Sequence, residues 1–241
     1  MPLLGDSYRD LYAQYYGPAR RDLSVKRYLA SADSFRNICS LLLHDDPQCI
    51  IDVGAGDGSV LERFERSNLG RHLSAVEVSE SGLAEIRARN LSKLVSAQLF
   101  DGYNIPFPDK SFDLAISIHV LEHVEHERLF LRELQRVAKR IIVEVPLENG
   151  LRAARAIRLG RPHGHINYYT PETFTNLLET SGLDILRHTI RTSSLAYEKT
   201  VSGKFKGQIT HTIRRAVLAA APSAAPWVFN YVITAYCESR S

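Results

Sequence analysis

Cys49-Ile50-Ile51-Asp52-Val53-Gly54-Ala55-Gly56-Asp57-Gly58 decides the fold. A short apolar run ended by glycines reads as a buried parallel strand that feeds a tight turn. Gly54, Gly56 and Gly58 have no Cβ, so the backbone there can bend sharply and come close to a ligand. Outward from this segment, strands and helices alternate. Further strands are expected over 72–78, 93–100, 112–118, 141–145, 183–191 and 228–237, with Pro146 closing the fifth. Helices are expected over 8–16, 28–43, 60–64, 81–90, 127–137 and 170–181. Ser81 is read as the cap of one; Thr170 caps the last, Pro171 occupies its first position and Gly182 ends it. Such alternation specifies an α/β fold, a three-layer α-β-α sandwich around a mostly parallel sheet.

Length and composition agree with that reading. The 241 residues suffice for one large domain with a substantial core. A net charge of +3 is too small to argue for a nucleic-acid partner. Cys39, Cys49 and Cys237 are odd in number and scattered, which fits neither a disulfide framework nor a zinc motif and suits a reducing cytoplasm. The start, Met1 to Asp6, lacks the pattern of a signal peptide. The apolar stretch 216–236 is interrupted by Pro222, Pro226 and Asn230, so no spanning helix is expected.

In an open parallel sheet, ligands bind beyond the carboxyl ends of the strands, at the switch point. Glu77 stands at the end of the second strand, where a carboxylate can accept from both hydroxyls of a ribose. Asp101, followed by Gly102, ends the third, where it can accept from an adenine amino group. A lone glycine turn serves equally well as a plain connection. Three successive strand ends carrying Asp52 with Gly54 and Gly56, then Glu77, then Asp101, point instead to a nucleoside-bearing ligand. A dinucleotide calls for G-x-G-x-x-G and a helix N-terminus facing pyrophosphate. Here the spacing is G-x-G-x-G, and Asp52 and Asp57 flank it. Their charge opposes pyrophosphate and suits a ligand bearing an ammonium and a sulfonium.

Residues 51–58 resemble motif I of the class I S-adenosylmethionine-dependent methyltransferases. Residues 101–113 resemble the stretch carrying the adenine-contacting acid in the small-molecule (type 11-like) branch, and 117–124 the segment after it. The likeness continues through Thr170-Pro171-Glu172 to the last strand. It implies a Rossmann-like, seven-stranded sheet with the last strand antiparallel and S-adenosylmethionine as cofactor. Asp52, Gly54 and Gly56 would then hold the methionine portion, Glu77 the ribose, Val78 the adenine face, and Asp101 with Gly102 its amino group. Ile118 and His119 would lie near the transferable methyl. One departure is Val137-Ala138-Lys139-Arg140 in place of the Pro-Gly-Gly turn common before the fifth strand. The resulting expectation is one domain over 1–241: an N-terminal helical cap (1–46), a cofactor-binding half (47–145) and an acceptor-side half (146–241). A sulfonium is already activated, so alignment, worth up to roughly 7–11 kcal/mol, is the protein's main contribution.

His119, Glu122 and His123 follow the fourth strand, and Arg161-Pro162-His163-Gly164-His165 precedes the 170–181 helix. If the chain turns helically after Ile118, the first three share a face. His119 or His165 can act as a general base or hydrogen-bond the acceptor, and both are assigned as catalytic. Alternatively, this cluster binds a divalent metal, as in ubiquinone-biosynthesis and small-RNA 2′-O-methyltransferases with a similar segment. His119 replaces the first acid of that segment, and no metal is assigned. In a third reading, Glu122 and His123 merely brace a loop.

Arg152, Arg155, Arg158 and Arg161 recur every third residue, and a second basic region runs from Arg187 through Lys199, Lys204 and Lys206 to Arg214-Arg215. A solvated face, an anionic acceptor such as a nucleotide-linked sugar, and peripheral membrane docking each account for them. Tyr12, Tyr15 and Tyr16 are read as packing residues or a cover over the cofactor. The expected partner is a small-molecule acceptor, neutral or anionic (a sugar, lipid or natural-product intermediate), methylated on oxygen in preference to nitrogen or carbon. A nucleic acid is not expected. A non-catalytic S-adenosylmethionine-binding protein, an RNA methyltransferase and a dinucleotide oxidoreductase are the competing functions.

Overall fold

The computed structural model describes residues 21–148 and 165–240. Seven strands form one sheet: β1 (Cys49–Val53), β2 (His72–Glu77), β3 (Leu94–Leu99), β4 (Phe112–Ile118), β5 (Ala138–Leu147), β6 (Leu183–Arg191) and β7 (Tyr231–Ser239). Their order is β3-β2-β1-β4-β5-β7-β6. β7 runs antiparallel to β5 and β6, and the other pairings are parallel. The order reverses between β1 and β4, which opens a crevice at their carboxyl ends.

Successive strand residues point to opposite faces, and both faces are apolar. Ile51, Ala115 and Ile141 join one buried layer while Ile50, Leu114 and Ile142 join the other. Helices α1 (Arg21–Leu42), α2 (Ser59–Glu65) and α3 (Glu80–Ala88) cover the second layer through Ile38, Phe64 and Ile86. Helices α4 (Glu127–Val137) and α5 (Pro171–Thr180) cover the first through Phe130, Leu134 and Phe174. The expected three-layer sandwich, antiparallel last strand included, is present.

Local expectations are corrected at five points. Ser79, not Ser81, caps α3: it is extended and its hydroxyl accepts from the Gly82 amide at 3.3 Å. The strand before it ends at Glu77, one residue earlier than the apolar run suggested. Pro146 does not close β5, which pairs with β7 as far as Leu147. β4 pairs with β5 no further than Glu144, so Pro146 occupies an edge position where a missing N–H is tolerated. The departure at Val137-Ala138 removes the turn altogether, since Ala138 is already extended directly after α4. Lys110 takes up the freed carbonyls of Gln135 and Ala138 at 2.7 and 3.1 Å. Finally, β7 begins at Tyr231, after three helices that the pattern did not show: α6 (Leu195–Ser202), α7 (Lys204–Ala220) and α8 (Ala225–Val228).

Thr170 caps α5 in a reciprocal capping box with Thr173, with Pro171 in the first turn and Gly182 at φ 86° beyond the end. Among the described residues, no helix is long and apolar enough to cross a membrane. The 8–16 helix, Tyr12, Tyr15, Tyr16, the Arg152–Arg161 stripe and His163 lie outside the described residues. Phe174 is fully buried between α5 and the sheet. Phe174→Ala should lower unfolding free energy by about 3–5 kcal/mol in urea titrations, and an unchanged midpoint would contradict this packing.

Candidate functional site

A cleft of about 550 Å³, open mouth included, sits beyond the carboxyl ends of β1, β2 and β4. Of the residues expected to bind or react, Gly54, Glu77, Val78, Gly102 and His119 line it. Phe100, Tyr103, Val120, His123, Val124 and Phe130 complete the lining. Gly54 is at φ 79°, and a Cβ there would lie 2.5 Å from the Val120 side chain, so the turn tolerates only bare backbone.

The amides of that turn are committed. Those of Gly54 and Ala55 donate to the Val76 carbonyl at 2.9 and 3.2 Å, and that of Gly58 to Ala55 at 2.9 Å. The Gly56 amide donates to Glu77 Oε2 at 2.7 Å. The N–H groups that would cradle a pyrophosphate are therefore already satisfied within the loop and by a carboxylate. Glu77 is 3 % exposed and also accepts from the Ser79 amide through Oε1 at 3.0 Å. Burial pushes its pKa up and its amide hydrogen bonds pull it down, leaving it at about 7. Asp52, buried beneath the turn, is pushed up to about 8 by burial and by the charges of Glu77 and Asp57.

Asp57 serves the turn differently from Asp52. Its Oδ1 accepts from the Ser59 amide at 3.0 Å at the start of α2, and Oδ2 faces Arg89 at 3.4 Å and Arg27 at 3.9 Å. The acceptor character of this rim thus comes from Glu77, with Asp52 buried behind it and held largely protonated. Asp101 is also tied up locally: Oδ1 accepts from the amides of Tyr103 and Asn104 at 2.8 and 2.7 Å, and Oδ2 from the Asn104 side chain. Burial opposes ionisation of Asp101, but these donors hold its pKa below the ordinary carboxylate value. Its neighbours Phe100, Gly102 and Tyr103 face the cleft; Asp101, Asp52, Gly56 and Ile118 do not line it. Ile118 packs against the α1–α2–α3 layer.

The histidines gather as the spacing suggested, through a single 3₁₀ turn over Leu121–His123. His119 adopts φ 56°, and its amide donates to the Glu144 carbonyl at 2.9 Å. Its Nδ1 lies 3.3 Å from Glu122 Oε1 and its Nε2 3.5 Å from Glu144 Oε1. Burial works against its charge, but the Glu122 hydrogen bond and the charges of Glu122, Glu144 and Glu148 raise its pKa to about 9. A carboxylate beside each ring nitrogen thus favours the protonated ring of His119, a donor before it can be a base. His165 Nδ1 lies 2.8 Å from Glu148 Oε2; burial opposes its charge as well, and Glu148 raises its pKa. Its ring meets that of His123 edge-on, with centroids 4.7 Å apart. Glu122, His123 and His165 offer ligand atoms within 4.8 Å of one another, and Glu122 Oε2 is buried without a hydrogen-bond partner.

Sequence reasoning missed Glu144. It is 1 % exposed in β5 and collects Ser34 and Asn37 of α1, Thr234 of β7 and His119. An acid next to the expected strand end at Val145 reads as solvent-facing, and only the sheet order reveals that three elements converge on it.

Comparison with known proteins shows the family. A methyltransferase domain family matches residues 25–188. Norajmaline N-methyltransferase of Rauvolfia serpentina is 32% identical over 151 residues, covering 56% of this chain and 48% of that protein. Malonyl-[acyl-carrier protein] O-methyltransferase of Halorhodospira halophila is 31% identical over 126 residues, covering 48% and 42%. The chain thus spans less than half the length of these curated relatives. Among solved structures, the complex between the Haloferax volcanii Trm112 methyltransferase activator and a methyltransferase is alike in fold, with TM-score 0.69 at 13% identity, covering 95% of this chain and 98% of that one.

The raised acids give the site a pH signature. Asp52 and Glu77 take up protons on folding, from ordinary values of 3.8 and 4.5. Their contribution to stability is complete below those values and is lost as pH rises through about 7 and 8. Glu77→Gln should therefore gain stability relative to the parent as pH rises from about 4.5 to about 7, the ordinary and folded values of Glu77, and hold that gain above. Parallel stability curves for the two proteins would contradict the raised carboxyl.

Proposed function

The chain belongs to the methyltransferase domain family, and we propose that it transfers a methyl group from S-adenosylmethionine to an oxygen of a small-molecule acceptor. The observation that carries this reading is the buried Glu77 carboxylate, facing the cleft beside bare backbone while every turn amide described above is already engaged. Such a rim takes hydroxyl donors and positive charge, and gives a phosphate nothing to hold.

When bound, the cofactor supplies an electrophilic methyl on a sulfonium. Glu77 is proposed to accept the ribose hydroxyls, which favours its ionised form. Gly54, Gly56 and Asp52 are assigned to the methionine portion, Val78 and Gly102 to the adenine. Asp101 would meet the adenine amino group with a lone pair left over from its loop bonds. Ile118, whose side chain packs against the α1–α2–α3 layer, is assigned to the methyl side only through its position at the end of β4. We read 47–145 as the cofactor-binding half, 146–241 as the acceptor side and 1–46 as a cap.

His119 and His165 are proposed to act on the acceptor as cationic donors rather than as ready bases. Neighbouring carboxylates raise the pKa of both, and His119 lines the cleft with His123, whereas His165 stands behind His123 and, like Glu122, Glu144 and Glu148, does not line it. An imidazole N–H donor facing the cleft is matched by an oxygen acceptor with lone pairs, such as a phenol or carboxylic acid. One relative is named for methylation of nitrogen and the other of oxygen, so the imidazole donor in the cleft, not the likeness, supports oxygen. A second reading rests on the unpartnered Glu122 Oε2: with His123 and His165 it forms a donor set suited to a divalent cation that would hold the acceptor oxygen.

Incubation with S-adenosylmethionine and a panel of phenols, carboxylic acids and amines should give O-methyl products and S-adenosylhomocysteine. His119→Ala and His165→Ala should each slow turnover about tenfold or more with cofactor affinity retained. Full turnover in both would remove them from the reaction. Activity lost on chelation and restored by a divalent cation would establish the second reading, and activity indifferent to chelation would end it. Cofactor bound in calorimetry but no product from any acceptor class would favour a non-catalytic binding protein.

A further inference from the structure

The connection from β6 to β7 rises on the same rim as the cleft, because Arg191 and Tyr231, where it leaves and re-enters the sheet, lie near the carboxyl end of β5. It folds into α6, α7 and α8. α6 and α7 approach closely at Gly207, where a Cβ would lie 2.5 Å from the Glu198 carbonyl. On the inner face of α7, Arg214 pairs with buried Glu198, and its carbonyl accepts from the Tyr231 hydroxyl at 2.8 Å.

The outer face of α7 is also apolar. At 100° per residue, Phe205, Ile209, Ile213 and Ala216 project away from Gly207 and Arg214. Phe205 is 81% exposed, Ile209 44% and Ile213 45%. α8 follows, linked by the Ala225 amide to the Ala221 carbonyl at 2.8 Å, and adds Trp227 at 61% exposure. Cations border this stripe: Lys204 and Arg215 on one side, Lys206 on the other, all exposed. Between Leu195 and Asn230 the sole acid is Glu198, which is buried and paired, so the exposed surface carries no compensating negative charge.

We propose that α7 and α8 dock this protein on an anionic lipid bilayer, with Phe205, Ile209, Ile213 and Trp227 in the acyl boundary and Lys204, Lys206 and Arg215 on the headgroups. A helix with one face held by its own protein and the opposite face apolar between cationic flanks matches a surface that is apolar at depth and negative at its rim. This inference stands apart from methyl transfer and does not rest on it. It places the docked surface on the rim from which the cleft opens.

Trp227 is the only tryptophan in the chain, so its emission reports on this surface alone. The full chain is mixed with vesicles of phosphatidylcholine, alone or with phosphatidylglycerol, and followed by co-sedimentation and fluorescence. Binding should require phosphatidylglycerol, weaken with added salt and shift Trp227 emission to the blue. K204E and K206E should each weaken binding about fivefold, and the F205E/I209E double variant should abolish it while cofactor affinity and thermal midpoint stay at parent values. Equal affinity for both vesicle types, no Trp227 shift on binding, or vesicle binding unchanged in the double variant would each overturn the proposal. So would a concentration-dependent dimer, in sedimentation without lipid, that the double variant dissolves.

Discussion

The hydrogen bond from the Gly56 amide to the Glu77 carboxylate is the constraint on which the rest of the site depends. It joins the turn after β1 to the end of β2 and brings α3 close, since a Cβ on Gly82 would meet the Gly56 carbonyl at 2.8 Å. It also fixes what the crevice can hold. A buried carboxylate that has taken a turn amide leaves an acceptor-rich rim, and the neighbouring amides close on the turn's own carbonyls. The same crevice in an open α/β sheet can hold pyrophosphate or a nucleoside bearing a positive charge, and here the destination of one N–H separates them.

Behind that rim, a second polar centre ties the cap to the reacting side. Glu144 receives donors from α1 and β7 and faces the His119 ring, so the orientation of the histidine depends on a contact 110 residues away in sequence between Ser34 and Glu144. A buried carboxylate of this kind is costly unless every partner is present. Where it is satisfied, it fixes one arrangement of the surrounding elements. The left-handed backbone at His119 belongs to the same arrangement: it aims the His119 amide at the Glu144 carbonyl and the side chain at the carboxylates.

Much of this was legible in the sequence because it is local. The run Cys49–Val53 and its glycines announce strand and turn, and the next two strands end near Glu77 and Asp101 by simple alternation. What stayed hidden depends on contacts between distant segments. Glu144 looks like a surface acid until β5 lies between β4 and β7. Asp101 looks like a free ligand acid until its loop folds back onto it. α6 to α8 were missed because a helix apolar on two opposite faces shows no single-sided period, and Ser79 was passed over because the preceding strand stops one residue short. The histidine group was visible as a cluster with Glu122, but not the further carboxylates, Glu144 of β5 and Glu148 after it, that add to Glu122 in raising the histidine pKa values.

The most direct test is calorimetric titration of the full chain with S-adenosylhomocysteine and, separately, with NAD. The account predicts saturable binding of the first, at least tenfold weaker in Glu77→Ala, and no heat from the second. Binding of NAD, or S-adenosylhomocysteine affinity indifferent to the loss of Glu77, would contradict it.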